Sequence, residues 1–146
     1  MNFFEQRDNE LIFRENGETV IITPWGENSL RVRSAILSEP VENSAALLDV
    51  PKLTGEIHIE DTCASIKNGN ITARLTVQPW GNALQISFYN EKGELLLQEI
   101  PNGNALTKKA RHFTPLAGDS FRLKASFVSN PNEKIYGISR TAKHYR

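Results

Sequence analysis

The sequence predicts an all-β protein, an antiparallel β-sandwich with little helix. Apolar and polar residues alternate with period two along most of the chain, as in Gly55–Glu60, where Ile57 and Ile59 alternate with polar neighbours. Such a segment is typical of a strand in a sheet with one wet face. The strands predicted in this way are Glu18–Thr23, Leu30–Arg33, Gly55–Glu60, Ile71–Val77, Leu84–Tyr89, Leu95–Ile100, Phe121–Val128 and Lys134–Tyr136.

Turn signals separate these segments at short intervals, and two of them recur in the same order. Asn16-Gly17 leads through a strand to Pro24-Trp25-Gly26, and Asn68-Gly69 leads through a longer strand to Pro79-Trp80-Gly81. Asn-Gly is favoured where a tight hairpin needs positive φ. Proline and glycine then suit the bend of the next hairpin. We therefore expect similar local architecture in both halves, without claiming a true repeat.

Helix is scarce in the sequence. Only Ser44–Asp49 and Asn104–Arg111 are candidates for a turn or two of helix, and both are too short to stand without tertiary packing. The densest basic run, Lys108–His112, overlaps the second candidate. We interpret it as a solvated turn, with an anion site as the alternative.

Length and composition indicate a single folded domain over residues 1–146. The chain carries 17 Lys and Arg against 17 Asp and Glu, which argues against nucleic acid as a partner. The single cysteine, Cys63, lies in an alternating segment and is interpreted as an inert, partly buried strand residue. With no signal-peptide pattern and no apolar run long enough to span a bilayer, we expect a cytoplasmic protein without a membrane partner.

No catalytic residue, metal site or cofactor site is predicted. His58, His112 and His144 are far apart and lack the spacing of metal ligands. Glycine-rich phosphate loops and the Gly-x-Ser-x-Gly nucleophile motif are absent. Carboxylate pairs such as Glu39 with Glu42 are better explained as solvated groups than as an acid–base pair.

Trp25 and Trp80 are the best binding candidates that residue chemistry alone provides. An indole at a hairpin bend stacks well on a sugar ring, because it combines an apolar face with a polar N–H. The alternative is that each ring covers an end of the core. A third possibility is contact with a neighbouring domain, since aromatic residues are enriched at interfaces.

Several segments, in order, resemble the N-terminal β-sandwich of family 31 glycoside hydrolases, the α-glucosidases and α-xylosidases. Asn130–Gly137, with its Glu-Lys-Ile-Tyr-Gly, is similar to the end of that domain, and Leu30–Arg33 to its early Leu-Arg-Val-Arg strand. Gly93–Leu96 is similar to its Gly-x-Leu-Leu segment, so the resemblance runs from about Glu18 onward. Members usually carry a second glycine where this chain has Ser139.

The resemblance implies a galactose-mutarotase-like fold and a division of labour. In these enzymes two aspartates on a (β/α)₈ barrel carry out retaining hydrolysis of an α-glycoside. A barrel needs roughly 250 residues, so no catalytic residue is transferred to this chain, which alone is expected to be inactive. Its implied role is to support the catalytic barrel of the same parent chain and to shape the sugar site, with an oligosaccharide as a further partner.

Three alternatives stay open at this point. The chain is a stand-alone carbohydrate-binding module, an aldose epimerase, or a protein-interaction domain. The epimerase is disfavoured because the chain is short and its histidines are scattered. An interaction domain predicts self-association, because uncovered strand edges pair with other chains.

Overall fold

The computed structural model describes residues 2–42, 47, 50–51, 53–101, 104, 106 and 109–134. Within these ranges the chain forms strands and no helix, and so no helix that could cross a membrane. The strands are β1 (Phe4–Arg7), β2 (Glu10–Glu15), β3 (Glu18–Pro24), β4 (Leu30–Ile36), β5 (Glu56–Ile59), β6 (Cys63–Asn68), β7 (Ile71–Val77), β8 (Leu84–Tyr89), β9 (Leu95–Gln98), β10 (Arg111–Pro115) and β11 (Phe121–Ala125).

All strand pairs of the described residues are antiparallel, and each pair joins two consecutive strands of the chain. The first sheet has the order β1-β2-β3-β4, the second has the order β5-β6-β7-β8-β9, and β10 pairs with β11 in a separate hairpin. After β9 the second sheet continues through an isolated bridge between Glu99 and Phe127. The base of the β10–β11 hairpin is therefore attached to this edge.

The first two sheets pack face to face around one core, which confirms the predicted all-β sandwich. In β7, Ala73, Leu75 and Val77 are buried while the intervening residues are more exposed, as period-two alternation requires. Each large apolar side chain that is fully buried contributes about 1.5–3 kcal/mol. The core is made of alternate residues from both sheets: Phe4, Leu11, Phe13, Val20, Ile22, Ala64, Ile66, Ala73, Leu75, Val77, Leu84 and Ile86.

Several predicted strands need correction at their ends, and three strands were missed. The segments at Ile71–Val77 and Leu84–Tyr89 have the predicted bounds, whereas the one that begins at Leu30 is longer. β1, β2 and β10 were not predicted. The second helix candidate, Asn104–Arg111, is wrong at its end, because Arg111 begins β10. Most of the first candidate, Ser44–Asp49, lies outside the described residues. Ile135 and Tyr136 of the last predicted strand also lie outside them.

The two recurring turn signals form hairpins that brace one another across the sandwich. The side-chain amide of Asn68 donates to the carbonyl oxygens of Gly26 (2.8 Å) and Ser29 (2.7 Å) in the β3–β4 bend. Reciprocally, the amide of Asn16 donates to the carbonyl oxygen of Gly81 (2.8 Å) in the β7–β8 bend. Each Asn-Gly turn thus holds the Pro-Trp-Gly bend of the opposite sheet, and the expected similarity of the two halves is confirmed.

Close approach explains the glycine in one of these turns. Gly69 has φ +56°, and a Cβ placed on it would overlap the side-chain oxygen of Asn28 and the carbonyl oxygen of Glu27. The backbone N–H of Asn70 also donates to that Asn28 oxygen (2.9 Å). The β6–β7 turn therefore has room for glycine alone at this position.

Ion pairs cover the outer face of the first sheet. Ile12 and Ile21 point to this face by alternation, yet both are buried. Glu39 and Glu42, in the segment that follows β4, are exposed, and each carboxylate pairs with two arginines of the sheet. The pairs are Arg7–Glu39, Arg14–Glu39, Arg31–Glu42 and Arg33–Glu42.

Candidate functional site

Trp25 lies in the β3–β4 bend and is half-buried. Its backbone N–H donates to the carbonyl oxygen of Ser29 (2.9 Å), which closes the bend. The guanidinium carbon of Arg31 lies 4.8 Å from the centre of the indole ring, in cation–π geometry. Glu42 pairs with the same guanidinium. Because a cation already covers one ring face, a sugar would have only the other face of Trp25 to stack on.

Trp80 lies in the β7–β8 bend with 56% of its surface exposed. The side-chain amide of Asn82, two residues on, donates to a carboxylate oxygen of Glu15 (3.2 Å). The bend is therefore tied to the first sheet while a large indole surface faces solvent. This exposure makes Trp80 the better of the two candidates for contact with a ligand or a second domain.

The structure does not bring the two tryptophans together. The Trp25 bend is braced by Asn68, whereas the Trp80 bend is braced by Asn16 at the other end of β3. β3 has seven residues, which corresponds to about 20 Å at the usual rise per residue. One monosaccharide cannot bridge that distance, so the two rings cannot form a single stacking platform.

The described residues offer no metal centre. His58 lies exposed on β5 and His112 lies exposed on β10, while His144 is outside the described residues. No group of three or more histidine, cysteine or acidic side chains is arranged for a metal ion in the described part of the chain. Cys63 is half-buried at the start of β6, where a partly buried strand residue was predicted.

The basic run contains an unexpected buried cation. Arg111 is 6% exposed, and its guanidinium pairs with Glu18 of β3 and with Glu99 beside β9. The interpretation of this run as a solvated turn is therefore wrong for Arg111. His112 is exposed and Lys109 is half-buried, while Lys108 lies outside the described residues.

The Arg111 network, which we call the buried junction, joins Arg111, Glu18 and Glu99 through ion pairs and hydrogen bonds. Glu18 also accepts a hydrogen bond from the hydroxyl of Ser34 (2.8 Å), and Glu99 accepts one from the backbone N–H of Ile86 (2.9 Å). Burial alone would lower the pKa of Arg111, but the charges of Glu99 and Glu18 outweigh that effect, so the pKa is raised and the guanidinium stays protonated. The junction links the first sheet, the second sheet and the hairpin through one side chain.

This geometry does not suit glycoside cleavage. A retaining glycosidase needs two carboxyl groups that face the scissile bond of a bound sugar. Glu18 and Glu99 are both buried, at 8% and 4% exposure, and both hold Arg111. A sugar therefore has no access to these carboxylates, and we infer that their role is to stabilise the fold.

The β10–β11 hairpin has two chemically different faces. In its register Phe113 lies opposite Leu123, and Pro115 lies opposite Phe121, so all four side chains share one face. The rings of Phe113 and Phe121 meet edge to face with their centres 6.5 Å apart. The other face carries the polar pairs His112–Lys124 and Thr114–Arg122.

Strand β10 and the burial of Arg111 were not predicted, whereas the predicted strand Phe121–Val128 contains β11. A signal for the hairpin was nevertheless present. Polar and apolar residues alternate through His112–Pro115 and again through Phe121–Ala125, with Gly118-Asp119 between them. Both turn residues have positive φ, at 74° and 53°. The alternation predicts a hairpin, but no local pattern indicates that one of its arginines is buried.

The described residues thus form a β-sandwich in which the two candidate residues, Trp25 and Trp80, lie in separate bends. No protein-family profile matches the chain. It is 31% identical over 149 residues to the uncharacterized family 31 glucosidase ORF2 of Pseudescherichia vulneris, covering 90% of this chain and 27% of that protein. It is 28% identical over 163 residues to α-xylosidase A of Aspergillus niger, covering 97% of this chain and 21% of that protein.

A solved structure agrees with both sequence relatives. The family 31 α-xylosidase from a soil metagenome, crystallised with xylose, superimposes with a TM-score of 0.75 and 34% identity, over 88% of this chain and 21% of that one. The chain is therefore homologous to a domain-sized part of family 31 glycoside hydrolases, which confirms the resemblance. It spans about a fifth to a quarter of the length of these proteins, consistent with the N-terminal domain that the resemblance implies.

Proposed function

We propose that this chain acts as the non-catalytic N-terminal domain of an α-glucosidase or α-xylosidase. In this proposal a (β/α)₈ barrel of the same parent chain hydrolyses the α-glycosidic bond in carbohydrate metabolism, and the sandwich supports the barrel and shapes one wall of its sugar site. One observation carries the proposal: nearly the whole chain aligns with only 21–27% of its relatives.

The contacts within the sandwich support the non-catalytic part of this proposal. The two buried carboxylates both pair with Arg111, and Glu39 and Glu42 are each held by two arginines. None of these groups is placed as a free acid or base beside an open cleft. A cytoplasmic location stays a prediction, which fractionation of the source cells tests.

An activity assay with a chimera tests the proposed role. The purified chain is expected to leave aryl α-xylosides and aryl α-glucosides intact. Deleting the homologous segment from the soil-metagenome α-xylosidase is expected to abolish soluble activity, and inserting this chain in its place is expected to restore it. Hydrolysis by the chain alone, or full activity of the deleted enzyme, would contradict the proposal.

Direct sugar binding is a second candidate, favoured by the exposed indole of Trp80. It predicts heat on calorimetric titration with xylose, glucose or their α-linked oligosaccharides. Trp80→Ala is expected to abolish that heat, whereas Trp25→Ala has the smaller effect because Arg31 covers one face of its ring. If the unsubstituted chain and both variants gave the same heat on titration, interdomain contact would remain as the role of Trp80.

A further inference from the structure

We propose that the β10–β11 hairpin is the element through which this domain docks on the catalytic part of a family 31 enzyme. The contact surface is the apolar hairpin face, defined here as Phe113, Pro115, Phe121 and Leu123. This inference rests on the proposed function and adds the place of contact to it.

The apolar hairpin face continues the inner face of the sandwich. Arg111 lies on the same side of β10 as Phe113, because the two are separated by one residue. The Arg111 side chain reaches Glu18 on β3, so this side of the hairpin faces the space between the two sheets. Phe121 and Leu123 on the same face are nevertheless 36% and 47% exposed. They form a core-facing surface that extends beyond the described part of the opposing sheet.

The hairpin is firmly attached at its base and unsupported toward its tip. Near the base, the N–H of Ser126 donates to the carbonyl oxygen of Ala110 (2.9 Å), and the N–H of Ile100 donates to that of Ser126 (3.1 Å). Every residue of β11 is exposed. An isolated two-stranded hairpin is marginally stable in water and usually needs a further layer. An anchored hairpin that presents aromatic rings to solvent is suited to insertion against a protein surface.

The rest of a family 31 enzyme fits this face better than other occupants. The aligned relatives have about three quarters of their length outside the homologous segment, which leaves room for a large neighbouring domain. The outer face of the first sheet already carries Glu39 and Glu42 with their arginine partners. Among the described residues no ion pair covers the apolar hairpin face, and this face continues the core, so it offers the apolar area that a permanent interface uses.

Thiol labelling in the chimera tests this placement directly. Leu123→Cys is introduced into the isolated chain and into the α-xylosidase chimera, both with Cys63→Ser to remove the natural thiol. Leu106→Cys, at a site that is 96% exposed, is the matched control. We expect maleimide to label the Leu123→Cys thiol at least tenfold more slowly in the chimera than in the isolated chain, and the control equally fast in both.

The outcomes separate this inference from the proposed function. An active chimera in which Leu123→Cys is labelled as fast as in the isolated chain would overturn the docking surface and leave the proposed function intact. If the chimera that carries the unsubstituted chain were inactive, both the proposed function and the docking surface would be contradicted. Protection that appears in the isolated chain and rises with its concentration would assign the face to a second copy and also overturn the proposal.

Discussion

The replacement of Arg111 by methionine tests how much the buried ion pairs stabilise this fold. Methionine keeps most of the side-chain volume but removes the charge that pairs with Glu18 and Glu99. Both carboxylates are buried, and after the substitution each keeps only a neutral donor, Ser34 or the backbone of Ile86. The variant therefore leaves two buried anions without a cation.

The expected cost follows from that geometry. Removing one partner of a buried ion pair destabilises a protein by about 3–5 kcal/mol, because the remaining charge is uncompensated. With a urea m-value of about 1.5 kcal/mol per molar, the unfolding midpoint would fall by about 2–3 M. The free energy of unfolding of a domain this size is about 5–15 kcal/mol, so the variant would be marginal but measurable.

Urea unfolding followed by tryptophan fluorescence measures this cost. The matched control is Arg14→Met, which removes ion pairs whose partners are about half exposed and should cost at most about 1 kcal/mol. Combining Arg111→Met with Glu18→Gln and Glu99→Gln should recover a large part of the loss, because no buried charge then remains. Equal midpoints for Arg111→Met and Arg14→Met would refute the buried junction.

Three further predictions concern the turns and the outer face. Asn68→Ala should lower the free energy of unfolding by about 1–3 kcal/mol in urea titrations, because the carbonyl oxygen of Gly26 loses the amide donor and that of Ser29 keeps the backbone N–H of Trp25 but loses the amide; an unchanged midpoint would refute the cross-brace. Gly69→Ala should cost at least twice as much as Gly93→Ala in the same titrations, since both have positive φ but only the first meets neighbouring atoms; equal costs would count against the close approach. The hydrogen bond from Arg14 holds the pKa of Glu39 below its ordinary value, so its stabilisation is present at neutral pH and is lost as pH falls through that lowered pKa; unfolding midpoints from pH 7 to pH 3 should fall less steeply in Glu39→Gln, and parallel curves would contradict this.

The alternation of side chains accounts for how much of the fold could be predicted. β7 and β8 matched their predicted bounds because apolar and polar residue types alternate along each of them. β2 was missed because Leu11, Ile12 and Phe13 form an apolar run with all three residues buried. Ile12 is buried on the outer face of the sheet, and a segment more than twenty residues away supplies the ion pairs there. Such long-range cover leaves no local pattern.

For the candidate site too, the local positions of residues could be predicted from the sequence, but their long-range contacts could not. The position of Trp25 and Trp80 at hairpin bends was predictable, because Pro-Trp-Gly marks a bend wherever it follows a strand. Their separation by the length of β3 depends on which turn braces which bend. The burial of Arg111 depends on Glu18, which is 93 residues away in the chain. Contacts between such distant residues follow from tertiary packing, which one sequence does not reveal.

Whether this chain is a domain of a longer glycosidase is tested most directly by the size of the native protein in extracts of its source cells, measured with an antibody against this domain. We expect a band several-fold larger than 16.4 kDa, because the sandwich is proposed to work as part of a longer glycosidase. A single band at 16.4 kDa would contradict it, and would favour a sandwich that binds sugar or protein by itself.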